Sequence, residues 1–266
     1  MPEPPSQHVR TAPPRVFERL AEDYRARPPY PPALVQRLSE LAGEARPVVD
    51  LGAGTGLLAA PLARLGHPVV AVEPARAMLA ICAEACAGLD VMPVLAPAEA
   101  TGLGAVEAGL VLLADAIHWV RPDAAGAEAR RLLAASGVAA VLAPEPLDTP
   151  LMRGLQALLV SANPKARSLP PASRARQFLV MAAGPGRPEE ESWEQRSVLG
   201  PEALRSVVRS LSYGGPALGP AGLERLLTGV DTLGEREGRE WARVLRLRWL
   251  RLGRRSRRTR KRPPRR

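Results

Sequence analysis

The chain has 266 residues, 46% of them hydrophobic, enough to bury one sizeable core in a single α/β domain with additions. Its formal net charge is +10, but from Arg239 onward 14 arginines and lysines face one acid, Glu240, and that net of +13 leaves −3 for residues 1–238. No apolar run reaches the roughly 18 residues of a spanning helix, and the polar, proline-rich N-terminus does not read as a secretory leader, so a cytoplasmic location is expected. Cys82 and Cys86 lie four apart rather than in C-x-x-C spacing, and the histidines are His8, His67 and His118. These spacings suggest no metal site and read as reduced, structural thiols.

Taken in chain order, FERLAEDYRARPPYPP (17–32) predicts a helix running into a proline-rich turn, followed by a helix near 31–42. A first strand, 48–52, ends in VVDLGAGTG (48–56), where Asp50, Gly52, Gly54 and Gly56 fit D-x-G-x-G-x-G. The dinucleotide fingerprint G-x-G-x-x-G would place its third glycine at position 57, where Leu57 stands. A pyrophosphate needs glycine where a helix N-terminus meets the phosphates; a nucleoside carrying an amino acid on sulfur needs a turn free of side chains beneath its ribose. A helix at 55–65 leads to a second strand, 68–73, closed by Glu73 and Pro74. An acid at that point lies beside the glycine turn and can accept hydrogen bonds from both ribose hydroxyls. Such bonds contribute about 1.5–3 kcal/mol each, so losing Glu73 should weaken binding by at least about tenfold.

Further strands are predicted at 91–95, 108–114 and 137–143, with helices near 75–87, 124–135 and 151–161. Trp193–Leu199 reads as a sixth strand. Leu245, Leu247 and Trp249 alternate with Arg246 and Arg248, a period of two that makes 242–250 a seventh. Alternating strands and helices imply a doubly wound, mostly parallel sheet. The stretch 162–191, rich in proline, glycine and arginine, and the broken sequence around 213–220 read as loops. The last 13 residues, RRSRRTRKRPPRR, read as a disordered arginine-rich tail. No internal repeat is visible.

Residues 16 to about 145 resemble the class I S-adenosylmethionine-dependent methyltransferases, and more narrowly the type-11 methyltransferase-domain family. The resemblance rests on FERLAEDYRARPPYPPALV, VVDLGAGTG, VVAVEPARAML, APAEATGL and DAIHWV. It implies a Rossmann-like seven-stranded sheet with the last strand antiparallel beside the fifth, an N-terminal helical lid over residues 1–45, and C-terminal helical additions. It divides the chain into that lid, a methyltransferase domain over 46–253 with a cofactor half (46–145) and an acceptor-side half (146–253), and the tail at 254–266. The implied cofactor is S-adenosyl-L-methionine, held by Asp50, Gly52, Ala53, Gly54, Gly56, Glu73 and Pro74. Ala98 and Glu99 would surround the adenine, and Ala114 and Asp115 the methionine part. In the lid, Tyr24 and Tyr30 would flank the methionine end and Arg27 would pair with its carboxylate. Two departures from the family are Pro97, where a polar residue is common, and Ala135-Ser136-Gly137 in place of a Pro-Gly-Gly turn.

Methyl transfer asks a protein mainly to hold a nucleophile in line and exclude water, with base help in some cases. Asp115 and His118 are the candidate catalytic residues, His118 being the histidine placed for a general base; structural packing against the N-terminal segment is the other reading of it. Trp119 reads as packing. The expected activity is methylation of a small molecule on oxygen, carbon or nitrogen, as no N-P-P-Y clamp occurs and only nine aromatic residues are present. The alternatives are an RNA methyltransferase tethered through the basic tail, and a cofactor-binding regulator without catalysis. The sequence leaves the acceptor, the oligomeric state and the role of the tail open.

Overall fold

A computed structural model of the chain describes residues 14–44, 46–164, 172–212 and 218–253. One sheet runs through it: β1 (Val48–Leu51), β2 (Val69–Glu73), β3 (Val91–Leu95), β4 (Ala108–Ala114), β5 (Leu133–Pro146), β6 (Glu189–Val198) and β7 (Glu240–Arg251). The spatial order is β3-β2-β1-β4-β5-β7-β6. The first five strands pair in parallel, and β7 runs antiparallel between β5 and β6.

The two faces follow from the period of two. Val49, Leu51, Val111, Leu113, Ala139 and Val141 point to one face, covered by α5 (Pro122–Leu132) and α7 (Ala172–Ala183). Val48, Val69, Leu110, Leu112, Ala140 and Leu142 point to the other, covered by α2 (Pro32–Ala42) and α3 (Ala59–Arg64). Strands buried on both faces read as continuous apolar runs, which is why AGLVLLA in β4 has no polar phase. The edges differ. β3 carries Pro93, tolerated where one side of the strand has no partner, and β6 is EEESWEQRSV, a charged edge that discourages pairing with other chains. Arg246 and Arg248 of β7 meet Glu145 and Glu190, so the outward phase of that arginine-rich strand is neutralised across the ladder.

A third layer packs α6 (Pro150–Ala162), α8 (Pro201–Arg209) and α9 (Pro220–Glu237) around Leu155, Val208, Val230 and Trp241. Part of the proline excess is explained here: α2, α5, α6, α8 and α9 each start on a proline, at the position whose missing N–H costs nothing. Finally α1 (Pro14–Tyr24) lies on α4 (Arg76–Ala85), burying Leu20 and Ala21 against Met78 and Ile81. Glu18 of α1 accepts from the Arg76 and Ala77 N–H groups at 2.7 and 2.9 Å, capping α4 from outside.

Several boundaries differ from the sequence reading. The stretch 162–191 contains α7, whose Ala175, Phe178, Leu179 and Ala182 form a helical apolar stripe between proline-rich flanks. β5 starts at Leu133, directly after α5, because the ladder with β4 carries a register shift between Ala108 and Leu110 that lets Ala135-Ser136-Gly137 continue as strand instead of turning. β6 begins at Glu189 rather than Trp193. The cut at residue 45 separates α2 from its own core, since Leu34, Leu38 and Leu41 are buried under the sheet; α1 and the linker after it are what covers the cavity. Residues 213–217 and the tail at 254–266 lie outside the described residues. Among those described, no helix is long and apolar enough to cross a membrane.

Candidate active site

The loop leaving β1 is anchored by the Gly52 and Ala53 N–H groups, which both donate to Val72 O at 2.8 and 3.0 Å. Gly52, Gly54 and Gly56 all have positive φ, at 76°, 57° and 84°, a region that glycine enters freely and other residues do not. The three glycines serve different ends. A Cβ on Gly52 would lie 2.9 Å from the Ala116 Cβ, and one on Gly56 would lie 2.9 Å from Cys82 Sγ. Gly54 meets nothing within 4 Å and leaves a bare backbone facing a cavity.

Glu73 closes the turn from β2. It is buried, and its Oε2 accepts from the Gly54 N–H at 3.0 Å while Oε1 accepts from the Ala75 N–H at 2.9 Å. Each oxygen keeps a second lone pair for a ligand. Burial raises its carboxyl, and the two backbone bonds oppose that rise. Asp50 is only 2% exposed, and its Oδ1 has no hydrogen-bond partner among the described residues. Burial, with a smaller contribution from Glu73, pushes the Asp50 carboxyl up to about 7. A buried, unpaired carboxyl of this kind is satisfied either by a proton or by a cation placed beside it.

The cavity holds about 480 Å³, inside the usual range for a small-molecule pocket. Its floor is Asp50, Gly52, Ala53 and Gly54; Glu73, Pro74, Ala98 and Glu99 form one side; Ala114 and Asp115 lie at the end of β4; and Tyr24, Arg27 and Tyr30 close it from the N-terminal segment. Glu99 also caps α5, its Oε1 accepting from the Arg121 N–H at 2.8 Å. Asp115 has φ 50°, a left-handed conformation that aspartate tolerates better than most residues. It takes Arg27 Nη1 at 3.0 Å. Arg27 also donates to Ser210 Oγ and Ser210 O, and stacks 3.9 Å over the Tyr24 ring. Burial works against the Arg27 charge, but Tyr24, Asp115 and Tyr30 more than offset it. Burial pushes the Tyr30 hydroxyl up to about 12, so it stays a protonated donor.

Two sequence-predicted residues fall elsewhere. Gly56 does not line the cavity; it lies behind the turn, where Cys82 and Cys86 leave no room for a Cβ. His118 does not line it either, its ring lying 5.0 Å from that of Trp119 in the turn after β4. Trp119, read as packing, meets Phe17 of α1 edge to face at 5.2 Å and also lines the cavity. Arg27 lines the cavity, but all three of its guanidinium nitrogens already donate to protein oxygens.

Arg243 of β7 was missed. It lines the cavity and is buried. A signal for it existed: Trp241, Leu245, Leu247 and Trp249 occupy the inward phase of β7, and Arg243 is the charge that interrupts it.

Residues 49–141 match the family model described as a methyltransferase domain. Those residues are a methyltransferase domain. The domain is 41% identical over 113 residues to uncharacterised methyltransferases of Mycobacterium tuberculosis and Mycobacterium bovis, a match covering 42% of this chain and 45% of each relative. The chain thus spans less than half the length of those curated relatives. Its methyltransferase fold extends further: a structure described as a proposed type II methyltransferase from Anaeromyxobacter dehalogenans is similar over 85% of this chain and 98% of that one, with a TM-score of 0.60 and 24% identity. The phosphoethanolamine N-methyltransferase 2 of Haemonchus contortus, held with phosphomonomethylethanolamine and S-adenosylhomocysteine, is similar over 89% of this chain and 58% of that one, with a TM-score of 0.52 and 13% identity.

Proposed function

We propose that this chain is an S-adenosylmethionine-dependent methyltransferase acting on a small-molecule acceptor. One observation carries the reading: one cavity joins a glycine turn with a bare Gly54, a buried Glu73 with spare lone pairs, and the orphaned Asp50 carboxylate beneath the N-terminal segment. These residues fit a nucleoside bearing a cationic amino acid. Glu73 would take the ribose hydroxyls, Asp50 the ammonium group, and Pro74, Ala98 and Glu99 the surroundings of the adenine. Bound there, the cofactor supplies a methyl group on a positively charged sulfur.

The remaining work belongs to the chain. Ala114 and Asp115 border the reaction end, with Arg27 holding the Asp115 carboxylate in place. Tyr24 and Tyr30 border it, and Phe17 meets Trp119 edge to face beside the same cavity. Most of the rate gain from such a site comes from positioning in a dry pocket, and no base is assigned to His118. Residues 46–145 form the cofactor half of this reading and 146–253 the acceptor half. A cavity of about 480 Å³, partly covered by the N-terminal segment, suits a small acceptor.

The test is mass-spectrometric detection of S-adenosylhomocysteine formation by the full chain with small-molecule pools and with total RNA. The reading expects saturable, salt-insensitive turnover on a small-molecule fraction. Turnover confined to RNA and falling steeply with salt would instead favour the tail-tethered RNA enzyme.

A further inference from the structure

The charges of the cavity are sorted. Asp50 and Glu73 lie at the ends of β1 and β2; Arg243 lies on β7, where it pairs with Pro146 at the end of β5. Between β1 and β7 stand β4 and β5, a separation of three strand spacings or roughly 14 Å. Arg243 therefore belongs to the far end of the cavity from the glycine turn, and with Arg27 it places two guanidinium groups there against one carboxylate, Asp115.

Arg243 is 6% exposed. Its Nε donates to Gln195 Oε1 at 2.5 Å, and Gln195 in turn donates to Pro29 O, which fixes both side chain and lid turn. The guanidinium lies 5.5 Å from the Tyr30 ring centroid. Among the described residues Arg243 forms no salt bridge, and its side-chain hydrogen bond there is the one from Nε. Burial lowers the Arg243 guanidinium from its usual value; Tyr30 and Asp115 oppose this, and Arg27 adds to it. A guanidinium clamped through one nitrogen on the wall of a cavity has its planar pair of terminal donors left to match a carboxylate or another oxyanion in two-point contact.

We propose that Arg243 is the anchoring residue for an anionic group on the acceptor, so that the enzyme's substrates are small organic acids rather than neutral molecules or cations. Gln195 positions it. The inference rests on the methyltransferase reading for what happens to the bound acid, while the anion site itself rests on Arg243. A carboxylate can also come from the amino-acid part of the cofactor, and the experiment separates the two.

Benzoate and hexanoate, with benzamide and hexanamide as neutral counterparts, are titrated calorimetrically into the full chain with and without saturating S-adenosylhomocysteine. The wild type should bind the acids at least about tenfold more tightly than the amides, and R243Q should lose that preference while keeping its S-adenosylhomocysteine affinity within about threefold. R243K, which keeps the charge without the planar fork, should retain part of the preference and serves if R243Q does not fold. Equal binding of acids and amides by the wild type overturns the proposal. So does a tenfold loss of S-adenosylhomocysteine affinity in R243Q, which would assign Arg243 to the cofactor's own carboxylate. A wild type that prefers acids but ignores S-adenosylhomocysteine keeps the anion site and breaks the methyltransferase reading instead.

Discussion

At the β1–β2 end of the cavity one short stretch of chain, residues 50–74, supplies the glycine turn, the orphaned Asp50 and Glu73, with the turn and Glu73 tied together through backbone N–H groups. At the β7 end the lining is gathered from Arg27, Tyr30, Asp115 and Arg243, brought together from most of the length of the chain by the sheet and by the lid. The first end is a local motif whose geometry is set by three positive-φ glycines. The second is a product of tertiary packing, held by side-chain bonds from Arg27 to Ser210 and from Gln195 to Pro29. Changes at the first should therefore act on cofactor binding, and changes at the second on acceptor choice.

The sharpest way to break that division is Gly54→Val. A β-branched residue at φ 57° is strained by about 1–2 kcal/mol, and its side chain would enter the cavity where Gly54 now leaves space. Cofactor affinity should fall on the order of a hundredfold, read by calorimetry, while the melting temperature drops by only several degrees. Unchanged affinity would mean that the turn does not carry the cofactor.

A smaller effect tests the orphaned carboxylate. With its carboxyl raised to about 7, folded Asp50 holds a proton that the unfolded chain has released, so the wild type loses stability as pH climbs from about 4 to about 7 and levels off above. Asp50→Asn should remove that loss, visible as a difference between the two proteins in melts at pH 5 and pH 8. A cationic ligand favours the ionised form, so wild-type cofactor affinity should rise several-fold between pH 6 and pH 8 and that of Asp50→Asn should stay flat. Parallel pH profiles for the two proteins would remove Asp50 from the site.

The smallest expected change is at His118. Because its ring does not line the cavity, His118→Ala should stay within about twofold of wild-type turnover, whereas a general base would cost a hundredfold or more. A loss of that size would return the imidazole to the chemistry.

These contrasts also mark what the sequence could show. The glycine turn, Glu73 and the strands up to β4 were legible because each is specified by neighbours in the chain: a period-two apolar run, a turn that only glycine permits, an acid at a strand end. Even there the role of Gly56 was hidden, since it depends on the thiols of Cys82 in α4 and Cys86 just after it. The β7 strand was legible from its alternation, but Arg243 was not singled out, because its meaning depends on Gln195, Tyr30 and the lid turn converging on it. The helix α7 was hidden by its surroundings: its flanks are rich in proline and arginine, and they obscure a stripe of Ala175, Phe178, Leu179 and Ala182 that has helical spacing and packs on α5. His118 drew attention as a titratable residue in the right segment, yet its segment makes a turn that brings Trp119 to the cavity instead.

The central claim is that the turn after β1 and the acid ending β2 bind an adenosyl amino acid. Calorimetric titration of S-adenosylmethionine and S-adenosylhomocysteine into the wild type and into Glu73→Ala tests it most directly. The account predicts micromolar binding by the wild type, weakened about tenfold or more in the variant. Equal affinity in the two proteins, or no binding by the wild type, would contradict it.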